Sequence, residues 1–123
     1  MFRVLAYRSG CGPSLEICTL FQRYMGSATE FDMYGRGEDF PRQEWSTLPQ
    51  IYFGGHLISD RSRMSGIINF IRKHGAEWAG NHAEELQERL LITKGMCVKD
   101  IYKLVLALEP IVKSKEYSSS IAW

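Results

Sequence analysis

Residues 2–34 constrain the chain most: a strand pattern, a short loop broken by glycine and proline, a helical stripe and a second strand pattern follow directly on one another. In FRVLAY, residues 2–7, Phe2, Val4 and Ala6 alternate with Arg3, Leu5 and Tyr7, and both sets contain apolar side chains. That pattern predicts an interior strand covered on both faces. Leu15, Cys18, Leu20, Phe21, Tyr24 and Met25 then recur at helical spacing until Gly26, a natural helix stop. ATEFDMY, residues 28–34, reads as a second strand. A strand–helix–strand unit of this size pairs its strands in parallel through a right-handed crossover, so the class is α/β.

The rest of the chain extends that unit. GRGEDFPRQE, residues 35–44, is polar and interrupted by Gly35, Gly37 and Pro41, and reads mostly as loop. In PQIYFGGHLIS, residues 49–59, two short apolar runs flank Gly54 and Gly55, the residues an antiparallel hairpin needs where φ is positive. From Arg61 to His74, Met64, Ile67, Ile68 and Ile71 form a helical stripe that Gly75 ends. Asn81 and Glu84 make a capping-box pattern ahead of Leu86, Leu90 and Leu91, which predicts another helix. After Gly95, Ile101, Leu104, Val105, Leu108, Ile111 and Val112 form a last stripe, with Tyr102 and Leu106 outside it and Pro110 kinking or ending the helix. The serine-rich tail, residues 113–123, is expected to fray.

These patterns divide the chain into a domain over 1–76 and a helical extension over 77–123. An isolated amphipathic helix is marginal in water, so the last stripe is expected to pack on the first domain or on the preceding helix. Tyr102 and Leu106 are then left for a homodimer or a protein partner.

Bulk composition removes several function classes. The chain carries 15 Lys+Arg against 14 Asp+Glu, without the basic excess that nucleic-acid binding requires. No apolar run is long enough to cross a bilayer, and the opening MFRVLAYRSG lacks a signal peptide's apolar stretch. The expected home is cytoplasmic, which suits free thiols. Cys11, Cys18 and Cys97 contain no CxxC pair, and His56, His74 and His82 share no ligand spacing, so neither a disulfide scaffold nor a zinc site is predicted.

What remains is Cys11. It immediately precedes the first helix, where unpaired backbone N–H groups and the positive end of the helix dipole favour a thiolate. Pro13 fits an early helical position, and Arg8 brings a positive charge nearby. Of the three cysteines, the pattern places this one alone at a helix N-terminus. The two readings of the position are a reactive thiol and a small, inert loop residue. Cys18 falls on the apolar side of its helix and reads as a buried small hydrophobe.

Two stretches read together carry a resemblance. Arg8, then Cys11-Gly12-Pro13-Ser14 between a strand and a long helix, together with WSTLPQIY over 45–52, resemble the glutaredoxin family, and its monothiol branch most. The resemblance covers about residues 1–75. It implies a thioredoxin fold: a mixed four-stranded sheet with flanking helices, here followed by C-terminal helices. It further implies that Cys11 forms mixed disulfides with glutathione or protein thiols, in a glutathione-dependent thiol–disulfide exchange.

Arg8 would meet a glutathione carboxylate, and Leu48 with a cis Pro49 would grip the peptide backbone beside Cys11. Gly12 and Pro13 complete the motif. Ser14 stands where the dithiol branch has its resolving cysteine. The resemblance to the monothiol branch also allows a bridging iron–sulfur cluster held by two copies of Cys11 and two glutathiones, but Pro13 replaces that branch's phenylalanine. The middle segment, residues 30–45, is shorter than the family's.

In place of the family's G-G-[CS]-D, the chain has Ser59-Asp60-Arg61-Ser62-Arg63. Ser62 would still bond the γ-glutamyl end, while Arg63 has the wrong sign for its amino group. Asp60 either compensates or caps the following helix, and capping is the favoured reading. The competing function is a binding module that keeps the fold without turnover.

Overall fold

The computed structural model describes residues 1–8, 12–40, 48–75, 82 and 96–114, with the backbone alone at 61, 62, 65 and 98. Strand β1 (Phe2–Tyr7) leads to helix α1 (Gly12–Met25), and a 3₁₀ turn (Gly26–Ala28) delivers β2 (Thr29–Tyr34). Strands β3 (Gln50–Phe53) and β4 (His56–Asp60) follow, then helices α2 (Arg61–His74), α3 (Val98–Ala107) and α4 (Glu109–Val112). The strands form one four-stranded sheet in the order β2-β1-β3-β4. The chain is α/β with a mixed sheet.

β1 is interior, as its two apolar faces require. It pairs in parallel with β2, from Phe2 opposite Thr29 to Tyr7 opposite Tyr34, and antiparallel with β3, from Phe2 opposite Phe53 to Leu5 opposite Gln50. β3 and β4 form the expected hairpin, with Gly54 at φ 56° and Gly55 at φ 83°, a conformation that side chains with a Cβ disfavour.

Alternation along β1 sorts its side chains between two cores. Phe2, Val4 and Ala6 join Ile17, Leu20, Phe21 and Met25 of α1, Ile51 and Phe53 of β3, Ile58 of β4, and Met64, Ile67, Ile68 and Ile71 of α2. Phe2 meets the edge of Phe21 at 5.3 Å between ring centroids. On the opposite face, Leu5 packs with Phe40 and Leu48, flanked by Tyr7, Tyr34 and Tyr52.

The C-terminal helices belong to the first of these cores. Ile101, Leu104, Val105, Leu108 and Ile111 are all fully buried within it, and Met96 joins them. The extension therefore shares its apolar core with residues 2–71. Pro110 lies in the first turn of α4, after α3 has stopped at Ala107, so it ends one helix and begins the next. The guanidinium of Arg72 donates to the carbonyl of Val112 at 3.1 Å, tying the end of α4 to α2. Tyr102 and Leu106 stay exposed, at 40% and 43%.

Three expectations are corrected. Leu15 is 69% exposed, and Ile17, absent from the expected stripe, is fully buried. Ile17 belongs with Leu20, Phe21 and Met25 to an apolar stripe at helical spacing that faces the sheet and leaves Leu15 outside it; Ser14 lies on the same buried face, its hydroxyl accepting a hydrogen bond from the N–H of Tyr7 at 3.1 Å. Phe40, in the segment read as polar loop, is 8% exposed and fills the second core. Cys11 is not alone at a helix start, because Cys97 is the N-cap residue of α3. The expected helix beyond Asn81, apart from a turn at His82, and the tail from 115 on lie outside the described residues.

Candidate functional site

One end of the sheet gathers the residues singled out from the sequence. β1 and β2 both finish there, β3 begins there because it runs antiparallel to β1, and β4 returns to it. α1 starts after a loop of few residues beyond Tyr7, and α2 starts directly after Asp60. Two helix N-termini therefore flank a single sheet edge. The first turn of α1 carries no acidic side chain to oppose the positive end of its dipole, whereas the start of α2 is capped by the carboxylate of Asp60. Residues 9–11, Cys11 included, lie outside the described residues, as do 41–47.

What surrounds the Cys11 loop is described. Gly12, exposed, is the first residue of α1 and Pro13, half-buried, the second; the first turn carries no acidic side chain. Ser14 is fully buried, and its hydroxyl is the acceptor for the Tyr7 N–H. The loop is thus closed by a hydrogen bond between the last residue of β1 and the first turn of α1. Ser14 occupies a tethering position inside the fold.

Arg8 is anchored at its main chain and engaged at its head. Its N–H donates to the carbonyl of Tyr34 at 2.9 Å, continuing the β1–β2 pairing one residue further. Its Nη1 donates to Oε1 of Glu38 at 2.9 Å, with both side chains about half exposed. The carboxyl of Glu38 is held below the usual carboxylate range, first by a hydrogen bond from the Gly35 backbone and then by Arg8. A glutathione carboxylate approaching Arg8 would meet this partner already in place.

The turn that presents Glu38 was not recognised as a site from sequence. The N–H of Glu38 donates to the carbonyl of Gly35 at 3.1 Å, and Gly37 takes φ 88°, the arrangement of a type II turn. Arg36, between the glycines, lies over the ring of Tyr7 at 5.3 Å from its centroid. The signal available was the pair of glycines in Gly35-Arg36-Gly37-Glu38, which marks a tight turn but not its partners.

On the β3 side, the Leu48–Pro49 peptide is cis, as the resemblance implied, and both residues are buried. Gln50, fully buried, stands opposite Leu5 on β1 and Asp60 on β4. Its Oε1 accepts from the hydroxyl of Tyr52 at 2.8 Å. Leu48 and Pro49 thus sit one step beyond this row, beside the end of β1. Whether Thr47 and Leu48 face Cys11 lies outside the described residues.

Asp60 caps α2. Its Oδ1 accepts the N–H of Arg63 at 2.9 Å and its Oδ2 pairs with the Arg63 guanidinium at 3.0 Å. The favoured sequence reading of Asp60 holds, and the positive charge of Arg63 is matched within one helical turn. Of Ser62 only the backbone is described, in the first turn of α2.

The other thiols differ. Cys18 is half-buried beside Phe31 and Met33, and burial pushes its thiol up. Cys97 is exposed, and its sulfur donates to Oδ2 of Asp100 at 3.3 Å. Among the described residues no cluster of His, Cys, Asp or Glu is arranged to hold a metal ion, and no helix is long and apolar enough to cross a membrane. Comparison with protein-family models, with curated proteins and with solved structures finds no match to this chain.

Proposed function

We propose that this chain is a thioredoxin-fold protein of glutaredoxin type, which forms mixed disulfides through Cys11 with glutathione or protein thiols. The observation that carries the reading is the convergence at one sheet edge of Arg8, the start of α1, Leu48–Pro49 and the start of α2. These features are far apart in sequence. A cysteine one residue ahead of α1 is favoured as a thiolate by the N-terminus of that helix.

The chemistry is thiol–disulfide exchange. The Cys11 thiolate attacks one sulfur of a disulfide, a new S–S bond forms, and the other sulfur leaves as a thiolate that takes a proton from water. A second thiol then attacks the adduct and regenerates Cys11. No neighbouring thiol takes part, since position 14 is a serine.

A second reading has its own support. Asp60 is spent on capping α2 and pairing Arg63, and Arg8 is paired with Glu38, so the charged groups expected to hold glutathione already have partners within the chain. That favours a binding module that keeps the fold and grips glutathione weakly. Cys11, the residue of this chain that would ligate a bridging iron–sulfur cluster, lies outside the described residues.

The test is intact and peptide mass after exposure to oxidised glutathione. The expected result is one glutathione adduct, on Cys11, which disappears in Cys11→Ser. Modification of Cys97 at the same rate in both proteins, with Cys11 unmodified, would leave the binding module standing and remove the thiol function.

A further inference from the structure

The two edges of the sheet end differently. β4, at one edge, buries Leu57, Ile58 and Ser59 and runs straight into α2. β2, at the other, keeps some exposure at every residue, and among the described residues no strand pairs with its outer side. It follows β1 in unbroken register over its 6 residues, with neither a proline nor a bulge to spoil it as a template for another strand.

The two faces beside this edge have opposite character. Thr29, Phe31 and Met33 stand opposite Phe2, Val4 and Ala6 and so share the helix-side face. There the partly buried Phe31 and Met33 form, with Cys18, Thr19, Gln22 and Arg23 of α1, a groove of about 570 Å³. Glu30 and Asp32 stand opposite Arg3 and Leu5 on the other face, where Arg3 pairs with Asp32 and Glu30 is exposed. Successive side chains of a strand point to opposite faces, so a strand added at β2 lays one set along the apolar groove and the other beside two carboxylates.

We propose that the β2 edge is a docking site for an extended protein segment in which apolar residues alternate with lysine or arginine. The segment pairs its main chain with the outer N–H and C=O groups of β2. Its apolar side chains enter the groove between α1 and β2, and its basic ones meet Glu30 and Asp32. The same carboxylates disfavour a second copy of this chain. Antiparallel pairing of two β2 strands centred on Phe31 sets Glu30 against Asp32 twice, and pairing centred on Asp32 sets the two Asp32 carboxylates against each other. Nothing in this pairing involves Cys11.

Cys18 reports on the groove. It is half-buried there, and burial pushes its thiol up, so its alkylation is slow and sensitive to further covering. The probe is a capped peptide of about eight residues, an ordinary strand length, alternating valine and lysine. It is added to the full chain while alkylation of each cysteine is followed by peptide mass. The expected result is saturable protection of Cys18 with the rate at Cys97 unchanged. A valine–glutamate peptide should bind about threefold more weakly at low salt, and added salt should close the gap, as exposed charges require. Glu30→Lys should reverse the preference between the two peptides. The valine–lysine peptide N-methylated at every residue keeps its side chains, loses its main-chain donors and should not protect.

Equal protection by the methylated peptide would overturn the strand pairing, and an unchanged preference in Glu30→Lys would overturn the charge assignment. Protection by none of the peptides would remove the site. Protection of Cys18 that rises with the concentration of the chain alone, with a dimer by light scattering, would give the edge to a second copy instead. The peptide comparison uses the unaltered chain and so holds whatever Glu30→Lys does to folding.

Discussion

The two faces of the sheet are built on different principles. On the helix side, Phe2, Val4 and Ala6 enter a continuous apolar core to which α1, α2, α3 and α4 all contribute. On the other side, the described cluster is small: Leu5, Phe40 and Leu48 are buried, with Tyr7, Tyr34 and Tyr52 partly covered around them. Further along this second face, Arg3 pairs with Asp32 and leaves Met1, Glu30, Tyr52 and the hairpin glycines around a groove of about 540 Å³. The candidate site grows from the end of this sparser face.

The comparison can be broken by cavities. Ile67 is fully buried on the helix side, and Ile67→Ala should cost about 2–5 kcal/mol, through lost burial and the hole left behind. Phe40 is nearly as buried, and among the described residues it packs with Leu5 and Leu48 on the other face. Phe40→Ala is expected to cost no more than Ile67→Ala if the helix-side core dominates stability, while altering adduct formation at Cys11 more. Urea unfolding of both variants checks the ranking. A larger loss for Phe40→Ala would mean that the second face is as essential to the fold as the first.

A smaller effect sharpens the boundary between the faces. Ser14→Ala removes the acceptor of the Tyr7 N–H beside a fully buried position, and should cost about 1–3 kcal/mol. Because that bond closes the Cys11 loop, the variant should also change the alkylation rate of Cys11 while leaving Cys97 unaffected. Equal shifts at both thiols would mean that Ser14 contributes to global stability alone.

This contrast also explains which parts of the fold were legible in sequence. Met64, Ile67, Ile68 and Ile71, and later Ile101, Leu104, Val105 and Leu108, are apolar at helical spacing, so periodicity alone assigns them to the core, where all are fully buried. The β1–α1–β2 unit and the Gly54-Gly55 hairpin follow from equally local signals. The phase of α1 is less plain, because apolar residues at 15, 17, 18, 20, 21, 24 and 25 offer more than one stripe, and the sheet takes the one through Ile17, Leu20, Phe21 and Met25 and leaves Leu15 exposed.

The same limit governs the site. Arg8, Leu48, Pro49 and Asp60 were singled out from the sequence, and their common edge follows from strand pairing. The engagement of Arg8 by Glu38 spans 30 positions and has no periodic signature, and Phe40 is a lone aromatic in a polar stretch. Periodicity does not mark Cys97 as a helix start because the apolar stripe of α3 begins only at Ile101, whereas the helix itself begins at Val98. Contacts between distant polar residues are decided by the assembled fold, and composition does not foretell them.

The smallest expected effect lies in the titration of Glu38. Its folded-state value is lowered, so its stabilising contribution is present above the ordinary carboxylate range and is lost as pH falls through the lowered value. The pair is exposed, so the change in overall stability across that window should be slight. The two supports can still be told apart by following the Glu38 side-chain carbonyl carbon by NMR. The Gly35 backbone contributes more than Arg8 does, so Arg8→Gln should raise the midpoint only part of the way towards an unperturbed glutamate. Full recovery would make Arg8 the main support, and the turn would then be held from the site side instead of by its own backbone. No movement would mean that the ion pair does not persist in solution, and the turn would lose the charged contact that joins it to Arg8 at the end of β1.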